Sequence, residues 1–362
     1  MVSPSADTRA YYRIAVDCMG GDKGPAEVVR GVKLALNDVG PEDRFILVGK
    51  EKWLRSLVKK TGLEGHPRIE IRNADEVISM DDKPMQALKS KKDASMMVAF
   101  DMVKQGEADA VFSTGNTKVL VGAGAVKLRL IPGADRPALV AIMPHTKGYF
   151  VLLDVGANPE STPRHLMHNA VMGTIYAQAA LGIERPRLGL LTVGTEEGKG
   201  GARINNTHTL LKKLGDEINY VGPMEGFDMF EGNYDVVIVD GFTGNILLKT
   251  AEGMFSMLQR LVKEKLRWNP LYLLGATALL PVANGVKEHL SSDRNGGAPL
   301  LGLSALVMKA HGSGNRHAIR GTIRLGREAL SKQMSYRLEH ALTRANEIVA
   351  ETEVRNEAVP AK

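Results

Sequence analysis

The chain has 362 residues, 44% hydrophobic and 24% charged, a composition typical of a globular protein with a sizeable core. Its single cysteine, Cys18, excludes an intrachain disulfide and a cysteine-rich metal centre. The formal net charge of +6 fits an anionic substrate or an acidic partner, whereas lysines scattered without interleaved aromatics argue against nucleic acid.

The ends of the chain differ from its middle. Residues 1–11 are polar and are expected to form a disordered leader, and residues 351–362 a flexible tail. No linker interrupts residues 12–350, which are expected to form a single α/β domain. The longest apolar stretch, 271–286, is broken by glycine and proline and is too short for a membrane-spanning helix, so we expect a buried helix or a surface that touches lipid.

Short runs rich in Val, Ile and Leu alternate with helical patterns along the chain. The predicted strands are 13–17, 44–49, 68–72, 109–114, 137–143, 149–156, 187–194 and 234–241. The predicted helices include 84–105, 162–182, 243–267 and 315–349. Continuous apolar strands separated by helices indicate a mostly parallel sheet covered on both faces, with 137–143 and 149–156 as an antiparallel hairpin.

Five of the predicted strands end in turns rich in Gly, Asn and Asp. These turns are DCMGGDKGP (17–25), STGNT (113–117), DVGANPEST (154–162), TVGTEEGKGG (192–201) and DGFTGN (240–245). Because ligands of open parallel sheets bind at the carboxyl ends of the strands, we expect these turns to share one edge. The free N–H groups of the helices that follow favour an anion there. Each turn taken alone is also explained as an ordinary strand-to-helix connection, in which Gly, Asn and Asp are common.

The motifs of several enzyme classes are missing. There is no Walker loop, no dinucleotide fingerprint after a strand and no G-x-S-x-G nucleophile turn. His165 and His168 have helical spacing, but no nearby acid completes a metal-ligand set. The sequence therefore predicts no cofactor and no metal, and favours non-covalent catalysis on an anionic or acyl substrate.

The first turn poses a question of charge. Gly20, Gly21 and Gly24 suit close approach of backbone N–H groups to phosphate, yet Asp17 and Asp22 flank the same turn. Phosphate carries a proton near neutral pH, so one acid is a candidate to accept its hydrogen bond. The other is expected to bind turn backbone, which is the commoner use of Asp in turns.

Ten collinear segments between residues 12 and 330 resemble the phosphate acyltransferase family (PlsX) of bacterial phospholipid synthesis. They are DCMGGDKGP, MDDKPMQAL, KKDASM, STGNT, RPAL, LLDVGAN, HLMHNAVMG, GTEEGKG, DGFTGNILLKTAEG and GGAPLLGL. The sequence departs from the family pattern at Lys118, where a glycine is usual, and this leaves fine substrate preference open.

The resemblance implies transfer of a long-chain acyl group from acyl carrier protein to inorganic phosphate, giving acyl phosphate for acylation of glycerol 3-phosphate. It also implies a three-layer α/β/α fold like that of isocitrate dehydrogenase and phosphotransacetylase, with a helical hairpin at about 255–292. A homodimer in the cytoplasm, in peripheral contact with the anionic inner face of the cell membrane, is implied as well. The implied carrier protein is acidic, which matches the net positive charge of the chain.

The candidate site combines catalytic and substrate-binding residues. Asp17, Asp22, Lys199 and Asn245 are the candidate catalytic residues; the candidate substrate-binding residues are Gly20, Gly21, Asn116, Thr117, Asn158, Asp240 and Thr243. We expect Gly20–Gly21, Asn116 and Lys199 to hold phosphate, and Thr243 and Asn245 to face the carbonyl or phosphate oxygens. Solvation of Lys199 and backbone capping by the asparagines are the structural alternatives.

Three other functions remain open from the sequence. A short-chain phosphotransacetylase acting on acyl-coenzyme A would share the sheet and its anion-binding edge. A non-catalytic module that binds membranes or carrier protein would not need the polar loops. An oxidoreductase of the same fold is disfavoured, since neither a nicotinamide fingerprint nor a metal-binding carboxylate trio is evident.

Overall fold

The computed structural model describes residues 11–196, 199–267, 281–282, 285–286, 289 and 297–357. Its strands are β1 Arg13–Asp17, β2 Arg44–Gly49, β3 Ile69–Asn73, β4 Ala110–Ser113, β5 Ala138–His145, β6 Gly148–Leu153, β7 Arg187–Leu191, β8 Asn219–Met224, β9 Val236–Ile238, β10 Ala298–Leu301 and β11 Leu306–Lys309. Its α-helices are α1 Gly24–Ala35, α2 Glu51–Lys60, α3 Pro84–Ser90, α4 Ser95–Lys104, α5 Thr117–Lys127, α6 Pro163–Ala180, α7 Gly201–Lys213, α8 Gly241–Arg267, α9 Arg316–Ser331 and α10 Met334–Glu357.

All these strands join one sheet, in the order β3-β2-β1-β4-β11-β10-β5-β6-β9-β7-β8. Most neighbours pair in parallel, and β10 pairs antiparallel with both β11 and β5. The predicted hairpin is confirmed, because β5 and β6 pair antiparallel across a tight turn at His145 and Gly148.

The direction of the strands corrects the expectation that all five polar turns share one edge. Strands β1, β4 and β11 point one way, whereas β6, β9 and β7 point the other way, since the β5–β6 hairpin reverses the chain. The turns after β1 and β4 therefore emerge at one edge of the sheet. Those after β6, β7 and β9 follow the opposite strand direction, so the single-edge prediction is wrong.

Helices cover both faces of the sheet and create two hydrophobic cores. On one face, buried side chains of α1, α2, α6, α7, α9 and α10 pack on the sheet; on the other, those of α3, α4 and α5 do, with α8 packed at the margin. The result is the predicted three-layer α/β/α arrangement with a mostly parallel sheet.

Two predicted helices are each divided in the structure. The 84–105 segment forms α3 and α4, because the backbone between them turns extended and Ala94 makes a β-bridge with Glu76. The 315–349 segment forms α9 and α10, separated where Gln333 adopts φ of +49°. The last helix then continues through Glu357, so the first part of the predicted 351–362 tail is helical.

Several predictions fall on parts of the chain outside the description. The leader lies there except for Tyr11, as do residues 358–362 and most of the apolar stretch 271–286. Of the hairpin predicted at about 255–292, the described part is chiefly the end of α8. Within the described ranges no helix combines the length and apolar character needed to cross a membrane.

Candidate active site

The last residues of β1, β4 and β11 form the floor of the first polar cluster. Asp17, Ser113 and Lys309 occupy the same step of the ladder on three adjacent strands. Asp17 is buried, and its two carboxylate oxygens accept hydrogen bonds of 2.6 Å from the hydroxyls of Ser95 and Ser113. Burial raises the pKa of Asp17, and these hydrogen bonds oppose the rise. Asp17 thus ties β1, β4 and α4 together beneath the first turn.

The turns after β1 and β4 touch through their backbones. A Cβ atom on Gly20 would lie 2.7 Å from the backbone of Gly115. Gly21 has φ of +82°, and a Cβ there would lie 2.7 Å from the hydroxyl of Thr114, which donates a 2.7 Å hydrogen bond to the Gly20 carbonyl. Only glycine satisfies both the positive φ and this approach. Gly20 and Gly21 therefore bring the turns after β1 and β4 into one surface.

Lys309 places a buried cation beneath that surface. Its side chain is 7% exposed, and its ammonium donates to the carbonyls of Thr114 and Ala310. Burial lowers the pKa of Lys309 to about 8; the nearby Lys249 lowers it further, and Asp17 and Asp22 oppose the shift. Because the ammonium is shielded from water, a nearby anion would stabilise its positive charge strongly.

Asp22 lies on the exposed side of the same cluster. Its backbone N–H donates a 2.9 Å hydrogen bond to the carbonyl of Gly312, and its carboxylate approaches Gly312 closely. The two acids of the first turn therefore differ: Asp17 is buried and engaged by hydroxyls, while Asp22 is exposed and contributes negative charge near Lys309.

Asn116 and Thr117 open helix α5 beside this cluster. The Asn116 side-chain oxygen caps the helix by accepting from the N–H groups of Lys118 and Val119, while its amide donates to the carbonyl of Met80 at 2.9 Å. Asn116 therefore fixes the 80–82 loop against α5, in agreement with its capping alternative. Thr117 is the half-buried first residue of the helix.

A second polar cluster follows β6. The buried carboxylate of Asp154 accepts from the backbone N–H groups of Leu139, Gly156, Ala157 and Asn158; burial raises its pKa and these bonds oppose the rise. The Asn158 amide donates to Asp154 and to the Pro137 carbonyl, at 3.0 and 2.6 Å. Asn158 thus holds the turn after β6 against β5.

The turn after β9 packs against this second cluster and begins helix α8. Asp240 caps the helix by accepting from the N–H and hydroxyl of Thr243, and it pairs with Arg203 at 3.0 Å. Gly244 lies directly on the Asp154 carbonyl. Asn245 is exposed, and a Cβ on Gly156 would lie 3.6 Å from its side-chain oxygen. Asn245 is therefore the candidate of this cluster that is exposed to solvent.

Lys199 follows β7, and its ammonium forms a 2.6 Å ion pair with Glu196 on the surface. Its side chain folds over Gly194, where a Cβ would lie 2.5 Å from Lys199 Cδ. Since β7 runs opposite to β1, these contacts associate Lys199 with the turns of the second half of the sheet. Its predicted role at phosphate stays a prediction.

Helix α8 links the two clusters. Asn245 is the fifth residue of the helix, and Lys249 lies four residues later on the same face, about 6 Å along the axis. The Lys249 ammonium is 3.1 Å from Nε2 of His311, which precedes Gly312 in the first cluster. The loops that leave the sheet in opposite directions are thereby joined through one helical turn.

Sequence reasoning missed Lys309, Lys249, Glu252 and His311. Strand β11 has only four residues, and residues after the GGAPLLGL segment were not assigned to a strand. The available signal was an apolar run ending in a lysine, followed by a Gly-rich turn and the helix-capping Asn315. Among the described residues, no group of His, Cys, Asp and Glu has the arrangement of a metal site.

Comparison with known proteins identifies the family. A family model described as fatty acid synthesis protein matches residues 12–337. The phosphate acyltransferase of Desulfitobacterium hafniense (strain DSM 10664 / DCB-2) is 41% identical over 92% of this chain and 98% of that protein. The phosphate acyltransferase of Bacillus cereus (strain G9842) is 42% identical over 89% of this chain and 96% of that protein.

Solved structures support the same fold at much lower identity. A phosphotransacetylase from Streptococcus pyogenes aligns with a TM-score of 0.59 and 18% identity, covering 89% of this chain and 94% of that chain. EutD phosphotransacetylase from Staphylococcus aureus aligns with a TM-score of 0.55 and 15% identity over the same shares. Sequence similarity along nearly the whole chain, with the α/β sheet it predicts, shows that the chain belongs to the phosphate acyltransferase family of acyltransferase enzymes.

Proposed function

We propose that this acyltransferase moves a long-chain acyl group from acyl carrier protein to inorganic phosphate. The acyl phosphate formed would then serve the acylation of glycerol 3-phosphate in phospholipid synthesis. The observation that carries the proposal is the buried ammonium of Lys309 beneath the glycine surface of Gly20 and Gly21. The net charge of +6 suits an acidic carrier protein.

Phosphate is proposed to bind at the first cluster. Lys309 supplies charge from below, the turn at Gly20–Gly21 supplies backbone N–H groups, and the helix start at Thr117 adds its dipole. Asp22 accepts a hydrogen bond from the phosphate hydroxyl and thereby orients an unprotonated oxygen for attack. Asp17 and Asn116 act as positioning residues, because their polar atoms hold the turns together.

The thioester carbonyl is proposed to face the second cluster. Asn245 donates to the oxygen that becomes negative as phosphate attacks. Lys199, predicted from the sequence to hold phosphate, is proposed instead to leave Glu196 for this developing charge, because it lies with the turns of the second half of the sheet. Asp240, Thr243 and Asn158 keep the turns of β6 and β9 in place. The reaction needs no cofactor in this scheme, since the thioester already activates the acyl carbon.

Substrate choice tests the reaction. The purified chain, given phosphate, is expected to release thiol from palmitoyl carrier protein and to form palmitoyl phosphate, with far slower release from acetyl-coenzyme A. Preference for acetyl-coenzyme A would instead show a short-chain phosphotransacetylase.

Two substitutions separate an enzyme site from a binding surface. Asp22→Asn and Asn245→Ala are each expected to lower kcat by about 10²-fold, the usual cost of losing an orienting or oxyanion contact. Asp75→Asn, at an exposed acid in the loop after β3, serves as the control and is expected to leave kcat unchanged. Normal turnover by both site variants would favour the non-catalytic carrier-binding module.

A homodimer is proposed to form through helix α8. Its outer half exposes a stripe of large apolar side chains: Met254, Met257, Leu258, Leu261 and Val262, each 45–60% exposed. Such a stripe at helical spacing is typical of a helix that packs on a second copy. Leu258→Glu with Leu261→Glu is expected to halve the mass measured by light scattering; an unchanged mass would contradict this interface.

Peripheral attachment to the inner face of the cell membrane, in the cytoplasm, is proposed for the apolar stretch 271–286. Most of it lies outside the described residues, so the proposal rests on its sequence. Co-sedimentation is expected with vesicles containing anionic phosphatidylglycerol and much less with pure phosphatidylcholine. Equal recovery in the supernatant with both would contradict it.

The single domain proposed over 12–350 is supported by the continuous eleven-stranded sheet.

A further inference from the structure

Lys249 places a second ammonium group beside the first cluster. It is exposed on α8, and its ammonium lies 2.8 Å from the carboxylate of Glu252 and 3.1 Å from Nε2 of His311. His311 follows Lys309 by two residues, so their Cα atoms are at most about 7 Å apart. The next residue, Gly312, accepts a backbone hydrogen bond from the first turn. A cation of helix α8 is thus brought to the loop that follows the buried cation of β11.

The ammonium groups of Lys249 and Lys309 repel each other. Burial is the largest cause of the low pKa of Lys309, and the positive charge of Lys249 lowers that pKa further. The carboxylates of Asp17 and Asp22 oppose the shift without cancelling it, because the pKa of Lys309 remains at about 8. An additional anion that contacts both ammonium groups would stabilise both charges.

The contacts of Lys249 leave a donor for such an anion. An ammonium group has three N–H donors, and among the described residues Glu252 and His311 account for two of them. The side chain of Lys249 is 52% exposed, so a ligand in solution can reach it. Burial opposes ionisation of Glu252, but its hydrogen bonds with His311 and Lys249 prevail and lower its pKa to about 2. Glu252 is therefore an anion that fixes the position of the Lys249 ammonium.

We propose that Lys249 is a catalytic residue whose third N–H donates to the attacking phosphate, which is held between the ammonium groups of Lys249 and Lys309. This rests on the phosphate site of the proposed function. Lys309 and the glycine turn bind the anion from the sheet, and Lys249 binds it from α8. Asn245, which is proposed to face the thioester carbonyl, lies one helical turn before Lys249, about 6 Å along the axis. Lys249 therefore holds phosphate on the side of the first cluster that is nearer the thioester.

The charges around the site explain why Lys309 alone does not suffice. Phosphate is an anion, and Asp22 adds a negative charge near its proposed position. Glu252 balances the net charge of Lys249, so the contribution of Lys249 to phosphate is a charge-assisted hydrogen bond of fixed direction. Such a bond acts over contact distance and is screened less by salt than a long-range attraction.

Phosphate binding and turnover are measured separately in matched variants. Isothermal titration without thioester gives the Kd for phosphate, and turnover of palmitoyl carrier protein gives kcat and the KM for each substrate. Lys249→Met is expected to raise the Kd and the KM for phosphate by about 10- to 100-fold, the usual effect of a hydrogen bond to a charged partner. The KM for the carrier protein should keep its wild-type value. Lys263→Met, at an exposed lysine of the same helix, is the control and should leave the Kd unchanged.

The variant Glu252→Gln gives a result that a merely structural role would not produce. It removes a carboxylate that competes with phosphate for Lys249, so phosphate should bind about two- to fivefold more tightly. If the contacts of Lys249 served only to hold α8 against the loop after β11, Lys249→Met and Glu252→Gln would both weaken phosphate binding or both leave it unchanged.

The outcomes separate this proposal from the proposed function. A wild-type Kd in Lys249→Met, an equal loss of affinity in Lys263→Met, or weaker binding in Glu252→Gln overturns the role of Lys249 alone. A wild-type protein that neither binds phosphate nor forms palmitoyl phosphate refutes the proposed function, and the role of Lys249 with it. Binding of phosphate with the expected order of Kd values, but without palmitoyl phosphate, would refute the reaction and support the contact of Lys249 with the anion.

Discussion

The buried ammonium of Lys309 makes a quantitative prediction about stability and pH. In the unfolded chain a lysine holds its proton up to its usual pKa of 10.5, whereas in the folded protein burial lowers the pKa of Lys309 to about 8. Between these values the unfolded state binds more protons than the folded state, so the contribution of Lys309 to stability rises with pH. Below pH 8, where Lys309 is charged in both the folded and the unfolded state, its burial lowers the free energy of unfolding by the full amount.

The size of the effect follows from the separation of the two pKa values. A fall of the pKa from 10.5 to about 8 corresponds to about 3 kcal/mol in total, most of which develops between pH 7 and pH 10. The variant Lys309→Met lacks the titrating group but keeps the others. The free energy of unfolding of the wild type minus that of the variant should therefore increase by about 2 to 3 kcal/mol over that range. Loss of the hydrogen bonds to the Thr114 and Ala310 carbonyls shifts this difference by the same amount at every pH.

Urea denaturation of both proteins at pH 7, 8, 9 and 10, in buffer without phosphate, measures this difference. Adding phosphate should flatten the rise in the wild type only, since a bound anion keeps Lys309 charged. In the same way, the KM for phosphate should increase above pH 8, by up to about tenfold per pH unit. A wild-type-minus-variant difference that stays constant or falls with pH would refute the assignment of Lys309 as a buried ammonium that is charged at neutral pH.

Two further predictions use glycine pairs as their own controls. Gly21→Ala should lower the free energy of unfolding by about 2 to 3 kcal/mol, because Gly21 combines a positive φ with close contact at Thr114. Gly24→Ala, where φ is +69° and the surrounding space is open, should lower it by only about 1 kcal/mol in the same urea titration. Equal losses in the two variants would refute the role of the contact. On α8, Gly244→Ala should lower the free energy of unfolding by about 3 kcal/mol, because its Cβ would collide with a backbone carbonyl of the turn after β6. Gly253→Ala, at an exposed position of the same helix, should raise the free energy of unfolding derived from Tm by about 0.5 to 1 kcal/mol. A gain at both positions would contradict the packing described at the start of α8.

Sequence patterns predicted those elements whose signal is local. Strand β1, the β5–β6 hairpin and helix α6 each have a continuous apolar run or a helical period, and each lies within a few residues of its predicted range. The glycine turns were recognised because positive φ and close approach select glycine whatever the rest of the fold does. Asp17 was likewise recognised as a residue of the first turn.

The direction of the strands depends on tertiary pairing and was not predicted. The antiparallel hairpin β5–β6 makes β6, β9 and β7 run opposite to β5. Whether they also run opposite to β1 depends on the number and direction of the strands between β4 and β5, which the sequence did not predict. Two of those strands, β10 and β11, have four residues each, too few for a periodic signal. Lys309 stands at the end of β11 and could not be placed beside Asp17 without that pairing.

The same is true of the link through α8. Lys249 and Asn245 share a helix face, which the sequence predicts, but the contact of Lys249 with His311 depends on where α8 packs across the sheet. The proximity of the two polar clusters therefore depends on the tertiary packing of α8, which the sequence pattern does not determine.

The two acids of the first turn now have separate physical explanations. Asp17 is inside the protein, where its carboxylate accepts hydrogen bonds from a hydroxyl of β4 and a hydroxyl of α4. Asp22 remains exposed near Lys309, and as a counter-charge it lowers the cost of that cation while phosphate is absent. Entry of phosphate must therefore overcome repulsion from Asp22 before its hydroxyl can donate to that same carboxylate. Asp22→Asn should consequently bind phosphate more tightly in isothermal titration while turning over more slowly; weaker binding together with normal turnover would show that this acid neither repels nor orients the anion.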